Sequence, residues 1–302
     1  MQAKPVDYAI LGLGVGAVST AAIFIREAEA PALVIAAYRL GLASIPLLAT
    51  SFVRRQSVLA STTPRTLLNM LSGMFLALHF AFWIASVQQT SIVTSVVLVT
   101  AQPLFVALLS GPLLGERTGR GAWLGIALAS IGAAVMVADD ISSGTDTLVG
   151  DLYAILGAVF ASAYFLVGRS LRTTGQDWLS YVTLAYSTAA VVLIAAAALA
   201  GNDFTGYGLR TYAFFLVLAI VPQLIGHTAL NRSLGYMPAV AVTIAVLGEP
   251  VGATILSIVL LDELPSALEL AGAVLVLTGV YAGLRGSFES IERRARRRRP
   301  KA

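Results

Sequence analysis

The sequence predicts an all-α integral membrane protein, with ten transmembrane helices arranged as two inverted five-helix repeats. Three observations carry that prediction. First, hydrophobic residues make up 57% of the 302 residues and charged residues only 12%, at a mean hydropathy of +0.83. Soluble domains carry about 25% charge, so this chain lacks the polar surface to coat a water-soluble globule. Second, the apolar residues run in long uncharged blocks. Leu67 to Val87 and Ser91 to Gly115 contain no Asp, Glu, Lys or Arg, and about 20 such residues cross a bilayer at about 1.5 Å each. Third, the pentapeptide YAILG occurs at Tyr8 to Gly12 and again at Tyr153 to Gly157.

The first span, 6–25, opens a chain whose later segments are equally hydrophobic and which has no clear cleavage site, so it reads as a span and not as a signal peptide. It ends where REAEAP brings charge and a proline. The second, 32–53, stops at RRQSVLASTTPR. The third, 66–88, and the fourth, 91–114, are split by QQTS, and GERTGR separates the fourth from the fifth, 121–138. DDISSGTDTLVGD leads into the sixth, 150–169, and RSLRTTGQD into the seventh, 178–200. GNDFTGYGLR precedes the eighth, 211–232, SLGYMP the ninth, 238–261, and LDELPS the tenth, 267–285. Each break carries turn residues or charge. All are short, leaving no room for a separate soluble domain.

Basic residues orient the bundle. With both ends and every second loop on one side, that side holds Lys4, Arg54, Arg55, Arg65, Arg117, Arg120, Arg169, Arg172, Arg232, Arg285 and the tail RRARRRRPK. Only Arg26 and Arg210 fall opposite, among Glu27, Glu29, Asp139, Asp140, Asp146, Asp203, Asp262 and Glu263. The positive-inside rule makes the basic side cytoplasmic, with both termini there, and an inner (plasma) membrane is the expected location. The tail directly follows a span, so it reads as a topology anchor meeting anionic lipid, at about 1 kcal/mol per basic residue. A nucleic-acid partner is not expected.

The repeated pentapeptide is the edge of a duplication. Ala37-Tyr38 matches Ala185-Tyr186, and His79 matches His227. Pro103 then matches Pro250, Glu116 matches Glu263, Gly125 matches Gly272 and Gly132 matches Gly279, in the same order and at nearly constant separation. The division expected is a first repeat over 1–144, a second over 145–286 and the basic tail over 287–302. Five spans per half is an odd number, so the second half enters the membrane from the opposite face. Many secondary transporters are built this way, with the substrate near the midplane where the repeats meet and two states of similar energy.

The segments beginning QPLFVALLSGPLLGERTGR and EPVGATILSIVLLDELPS place a mid-span proline thirteen residues before a glutamate at the span end, followed by a Gly-rich span. They resemble the two copies of the EamA module of the drug/metabolite transporter superfamily, and the chain is similar to bacterial aromatic amino-acid exporters within it. The resemblance implies export of amino acids, aromatic and other neutral ones, by alternating access. Another small metabolite or drug is the alternative cargo. One departure from symmetry stands out: Glu249-Pro250 in the second half is Gln102-Pro103 in the first.

The residues that can carry transport are polar or aromatic groups within spans. Pro103 and Pro250 each remove a backbone donor and read as a kink or hinge pair. Arg39 and Glu249 lie deep in spans at an insertion cost of about 2.5–3.5 kcal/mol each. They serve either as separate handles, Arg39 for a carboxylate and Glu249 for an ammonium or a proton, or as an ion pair. His79 and His227 are repeat partners. Trp83 stands one turn beyond His79 on the same face, and Asn231 stands at the matching place after His227. Together with Gln102, Tyr38 and Tyr186 these residues make a path suited to a small amphipathic zwitterion. Each aromatic can instead anchor the membrane interface, and each histidine can simply bond a neighbouring helix. The glycines of GLGVGA, LGIALASIGA and AGAVLVLTG read as close helix packing.

Cysteine is absent and His79 and His227 are the only histidines, so thiolate chemistry is excluded. No metalloprotease, nucleophile-elbow or phosphate-loop motif occurs. An intramembrane enzyme or a channel is the weaker reading: catalytic groups are scarce, and inverted halves favour rocking over a fixed pore. The expected partners are an amino-acid substrate and membrane lipids, with a monomer sufficient for the mechanism and neither cofactor nor metal required.

Overall fold

The structure, a computed structural model, describes residues 4–59, 63–141, 148–261 and 267–297, with side chains left out at 137–141, 257–261, 269 and 288–297. Asp146, Asp262, Glu263 and the end of the basic tail therefore lie outside the described residues, as do the side chains of Asp139 and Asp140.

All the regular elements described are helices. Span one is α1 (Pro5–Val18) followed by α2 (Ala21–Glu27); span two is α3 (Ala32–Val53) and span three α4 (Thr63–Gln89). Span four divides into α5 (Ile92–Val99) and α6 (Gln102–Leu114), and span five is α7 (Arg120–Ile141). In the second half, span six is α8 (Leu148–Thr173) and span seven α9 (Trp178–Leu199). Span eight is α10 (Leu209–Leu218), a π-helical segment over Ala219–His227 and α11 (Thr228–Ser233). Span nine is α12 (Ala239–Val246) and α13 (Glu249–Leu261), and span ten α14 (Ala267–Arg297). Among the described residues, nine of these spans are long and apolar enough to cross a membrane, and Arg120–Met136 is a shorter apolar helix. Span ten continues as helix past the expected boundary at 285.

Local chemistry explains the ends and the breaks. Ser91 caps α5 by accepting from the Thr94 amide at 2.9 Å, and Asp177 caps α9 by accepting from the Leu179 and Ser180 amides. Gly115 closes α6 in the left-handed conformation (φ 66°), which costs glycine least. The breaks in spans four and nine are alike. At Thr100-Ala101 and again at Leu247-Gly248 the ladder tightens, with the Ala101, Leu104, Leu247 and Gly248 amides all bonding three residues back. The next helix then restarts with Pro103 and Pro250 in its first turn, where a missing N–H costs nothing. In span one the Ser19 and Thr20 hydroxyls bond back to the carbonyls of Val15 and Ala17 and end α1, a break not visible in the hydropathy.

Span three packs along span six, span two along span seven, and span five along span ten. The last pair meets backbone to backbone. A methyl group added at Gly125 would lie 2.3 Å from the Gly283 Cα, and one at Gly132 2.7 Å from the Gly272 carbonyl. Both lie in the Gly-rich spans read as close-packing elements. The outer surface is apolar, with Leu108, Leu124, Val191 and Val274 among its exposed side chains. That suits a lipid boundary, where the backbone groups are satisfied inside the helices. Spans one, two, three, four, six, eight and nine contribute to a central cavity.

Candidate functional site

Both halves build this cavity, with His79 and His227, Val99 and Val246, and Gln102 and Glu249 in matching positions. The first contributes Val18, Arg39, His79, Trp83, Val99 and Gln102; the second Ala161, Tyr164, Phe165, His227, Leu230, Val246 and Glu249. His79 faces His227 across it, with ring centroids 6.2 Å apart. Gln102 and Glu249 open α6 and α13, directly after the two breaks. An anionic side chain at a helix N-terminus is favoured by the backbone dipoles, which offsets part of the cost of holding Glu249 buried. The cavity volume, about 20 Å³ for water centres, is room for about one water.

Arg39 is fully buried (0% exposed). Its Nε donates to Gln223 Oε1 at 2.9 Å, and its guanidinium lies over the Phe80 ring, 4.1 Å from the centroid. Neither Nη1 nor Nη2 has a hydrogen-bond partner. The ion-pair reading of Arg39 with Glu249 is not met: no contact within 4.0 Å joins the two, whereas Arg169 pairs with Glu116 and Arg210 with Glu27. Two buried charged side chains therefore line one cavity without pairing.

The histidines differ. His79 Nδ1 is 2.9 Å from the Gly157 carbonyl. A carbonyl only accepts, so Nδ1 carries the proton and neutral His79 offers Nε2 as an acceptor. Gly157, the last residue of the second YAILG, permits that approach, since a Cβ there would press on Trp83 at 3.2 Å. Trp83 stacks on His79 (5.9 Å, 6° between planes), and its indole N–H is unpartnered. His227 Nδ1 and Gln102 Oε1 are unpartnered as well. The cavity thus holds unused donors on Arg39 and Trp83, with unused acceptor capacity on Gln102.

Three candidates sit elsewhere. Asn231 stands behind the wall, donating to the Tyr164 hydroxyl at 2.6 Å and the His227 carbonyl at 2.7 Å. Tyr186 is in the same layer, 3.4 Å from Asn231 and Thr228. Tyr38 is not at the cavity. It stacks on Phe215 (4.5 Å) and donates to the Phe204 carbonyl, in an aromatic cluster near the acidic end of the bundle. Pro103 and Pro250 lie at the breaks, beside the site. Sequence reasoning missed Gln223, Tyr164 and Phe165. The signal for Gln223 was available, since it is an amide inside the apolar run LVLAIVPQLIG.

At the basic end Glu116 ties the halves together. It accepts from Arg169 Nε at 2.7 Å and from the Ala239 amide at 3.3 Å, and Arg169 also donates to the Leu234 carbonyl. At the other end Arg26 donates to the Thr90 carbonyl, and the Thr90 hydroxyl to Asp151.

Known proteins resemble the chain as a whole. The model of the EamA-like transporter family matches the chain twice, over residues 8–138 and 148–284. The chain is 26% identical over 270 residues to a probable amino-acid metabolite efflux pump of Escherichia coli K12, covering 85% of this chain and 86% of that one. It is 26% identical over 263 residues to the pseudopaline exporter CntI of Pseudomonas aeruginosa PAO1, covering 85% and 88%. A 184-residue match, also at 26%, to the uncharacterized transporter YdfC of Bacillus subtilis 168 spans 61% of this chain and 59% of that one. A crystal structure superposes at a TM-score of 0.79 over 95% of this chain and 99% of its own, at 17% identity, and so shares the fold. Matched by the family model in both halves, the chain belongs to the EamA-like transporter family.

Proposed function

We propose that this transporter exports amino acids, aromatic and other neutral ones, across the plasma membrane by alternating access, with both termini in the cytoplasm. The observation that carries the reading is the pairing of handles in one cavity. Arg39 presents two unpartnered Nη groups, and Glu249 supplies a carboxylate that makes no ion pair with it. An α-amino acid has the complementary charges, and the aromatic groups of Trp83, Tyr164 and Phe165 suit an apolar or aromatic side chain. The names of the two relatives, an amino-acid metabolite efflux pump and a pseudopaline exporter, support outward transport of a small metabolite. Cargo enters only when the walls part, since the cavity as it stands admits about one water.

Counterflow in proteoliposomes tests this. Vesicles loaded with each of the twenty amino acids in turn should accelerate uptake of labelled L-phenylalanine in a saturable manner, the neutral ones most strongly. Uptake that rises linearly with concentration and ignores the loaded solute would reject a carrier of this class.

A further inference from the structure

Gln223 is wholly buried, four residues before His227 in the π-helical segment, and its Oε1 holds the Nε of Arg39. A guanidinium is a planar fork that can grip a carboxylate side-on, through Nε and one Nη, or end-on, through both Nη groups. Here Gln223 occupies Nε, and Phe80 covers one face of the plane at 4.1 Å. Only the Nη1–Nη2 edge remains unpartnered. The holding group is a neutral amide, so it fixes the fork without cancelling its charge; a carboxylate at the same place would satisfy Arg39 and leave it little attraction for an anion. The wide π turn, which contains Pro222, brings Gln223 onto Arg39 while His227 lines the cavity. Such turns gather at functional sites because they re-aim side chains within a helix.

We propose that Gln223 is a positioning residue that sets the specificity of the transporter for carboxylate-bearing solutes, by aiming Arg39 end-on and leaving its charge unspent. The inference rests on the reading of Arg39 as the seat of the substrate carboxylate. The experiment measures KM and Vmax for L-phenylalanine and for L-phenylalaninamide, which lacks the carboxylate charge, in proteoliposomes carrying wild-type protein, Arg39→Gln, Gln223→Glu or Gln223→Met. Wild type should favour the acid. Gln223→Glu is isosteric and should lose the acid-over-amide preference by about tenfold or more, chiefly through a raised KM for the acid, the scale of a hydrogen bond to a charged group. Gln223→Met, which leaves Nε unheld, should lose preference in the same direction and covers the case in which the glutamate variant misfolds. If both Gln223 variants keep the wild-type preference while Arg39→Gln abolishes it, Gln223 only fills space and the proposal is overturned, with the Arg39 reading intact. If wild type does not favour the acid, or Arg39→Gln still does, the Arg39 reading itself fails and the proposal falls with it.

Discussion

At the scale of single residues, the question is what a buried carboxylate and a buried guanidinium do when they share a cavity without pairing. Glu249 begins a helix and Arg39 is held by Gln223, so each has its own structural support. Glu249→Gln should therefore fold normally but lose about 1.5–3 kcal/mol of affinity for an amino acid, the worth of a hydrogen bond to a charged group. A direct ion pair would instead make Glu249→Gln unfold at a markedly lower temperature, and the double change with Arg39→Gln would restore it. Thermal unfolding in detergent and counterflow on the three variants check this, and a loss of stability in Glu249→Gln that the double variant repairs would contradict it. Charge and repeat symmetry made much of this site legible in the sequence: Arg39, His79, Trp83, Gln102, His227 and Glu249 all line one cavity. Tyr38 was chosen by the same symmetry, yet its ring stacks in the Phe204–Phe215 cluster. A repeat match places a residue at a depth and does not say which neighbour its side chain will meet. Val99 and Val246 escaped notice because an aliphatic wall residue has no chemical signature in an apolar chain.

At the scale of helices, the ten spans follow from uncharged length alone, since a bilayer leaves a polar backbone few alternatives. The breaks inside spans one and eight were not legible, because they depend on hydroxyls turning back on the helix and on a π turn, neither of which changes hydropathy. Glycine shows the same limit. GLGVGA in span one and the glycines of spans five and ten look equally like packing motifs. In the fold, Gly14 of that motif packs closely, a methyl group there lying 3.1 Å from the Ala229 Cβ, but one added at Gly12 or Gly16 would meet nothing within 4 Å, whereas Gly125 abuts the Gly283 backbone. Gly125→Ala should thus force two backbones apart and lower stability by about 1–3 kcal/mol, the cost of overpacking. Gly12→Ala, inside α1 and free of contacts, should be neutral or raise stability by up to about 1 kcal/mol. Melting temperatures of the two variants in the same detergent decide it; equal losses would mean that span one packs as tightly as the seam between spans five and ten.

At the scale of the whole molecule, two halves related in sequence are held in different shapes. Spans one and eight are interrupted, while their repeat partners, spans six and three, run as the unbroken helices α8 and α4. His79 bonds the Gly157 carbonyl, while His227, its partner, has an unpartnered Nδ1. The Glu116–Arg169 bridge ties the halves at the basic end. If the transporter works by the alternating access proposed above, exchanging the two shapes between the halves would give a second conformer of similar energy. In that conformer His227 would take the bond to span one and His79 would lose its bond to span six. The repeat-equivalent histidines should then bias the equilibrium in opposite senses. His79→Ala removes a hydrogen bond from the conformer described here alone, about 0.5–1.5 kcal/mol, and should shift the population roughly two- to twelvefold toward the exchanged one. His227→Ala should shift it back by a similar factor. The chain has no cysteine, so Val99→Cys and Val246→Cys, one cavity residue from each half, report the two conformers through labelling by an impermeant maleimide from each side of the membrane, without substrate. Opposite changes in sidedness for the two histidine variants support exchange between the halves. A change in the same direction for both would mean that the asymmetry is a fixed feature of the fold, and that the two halves do not trade places.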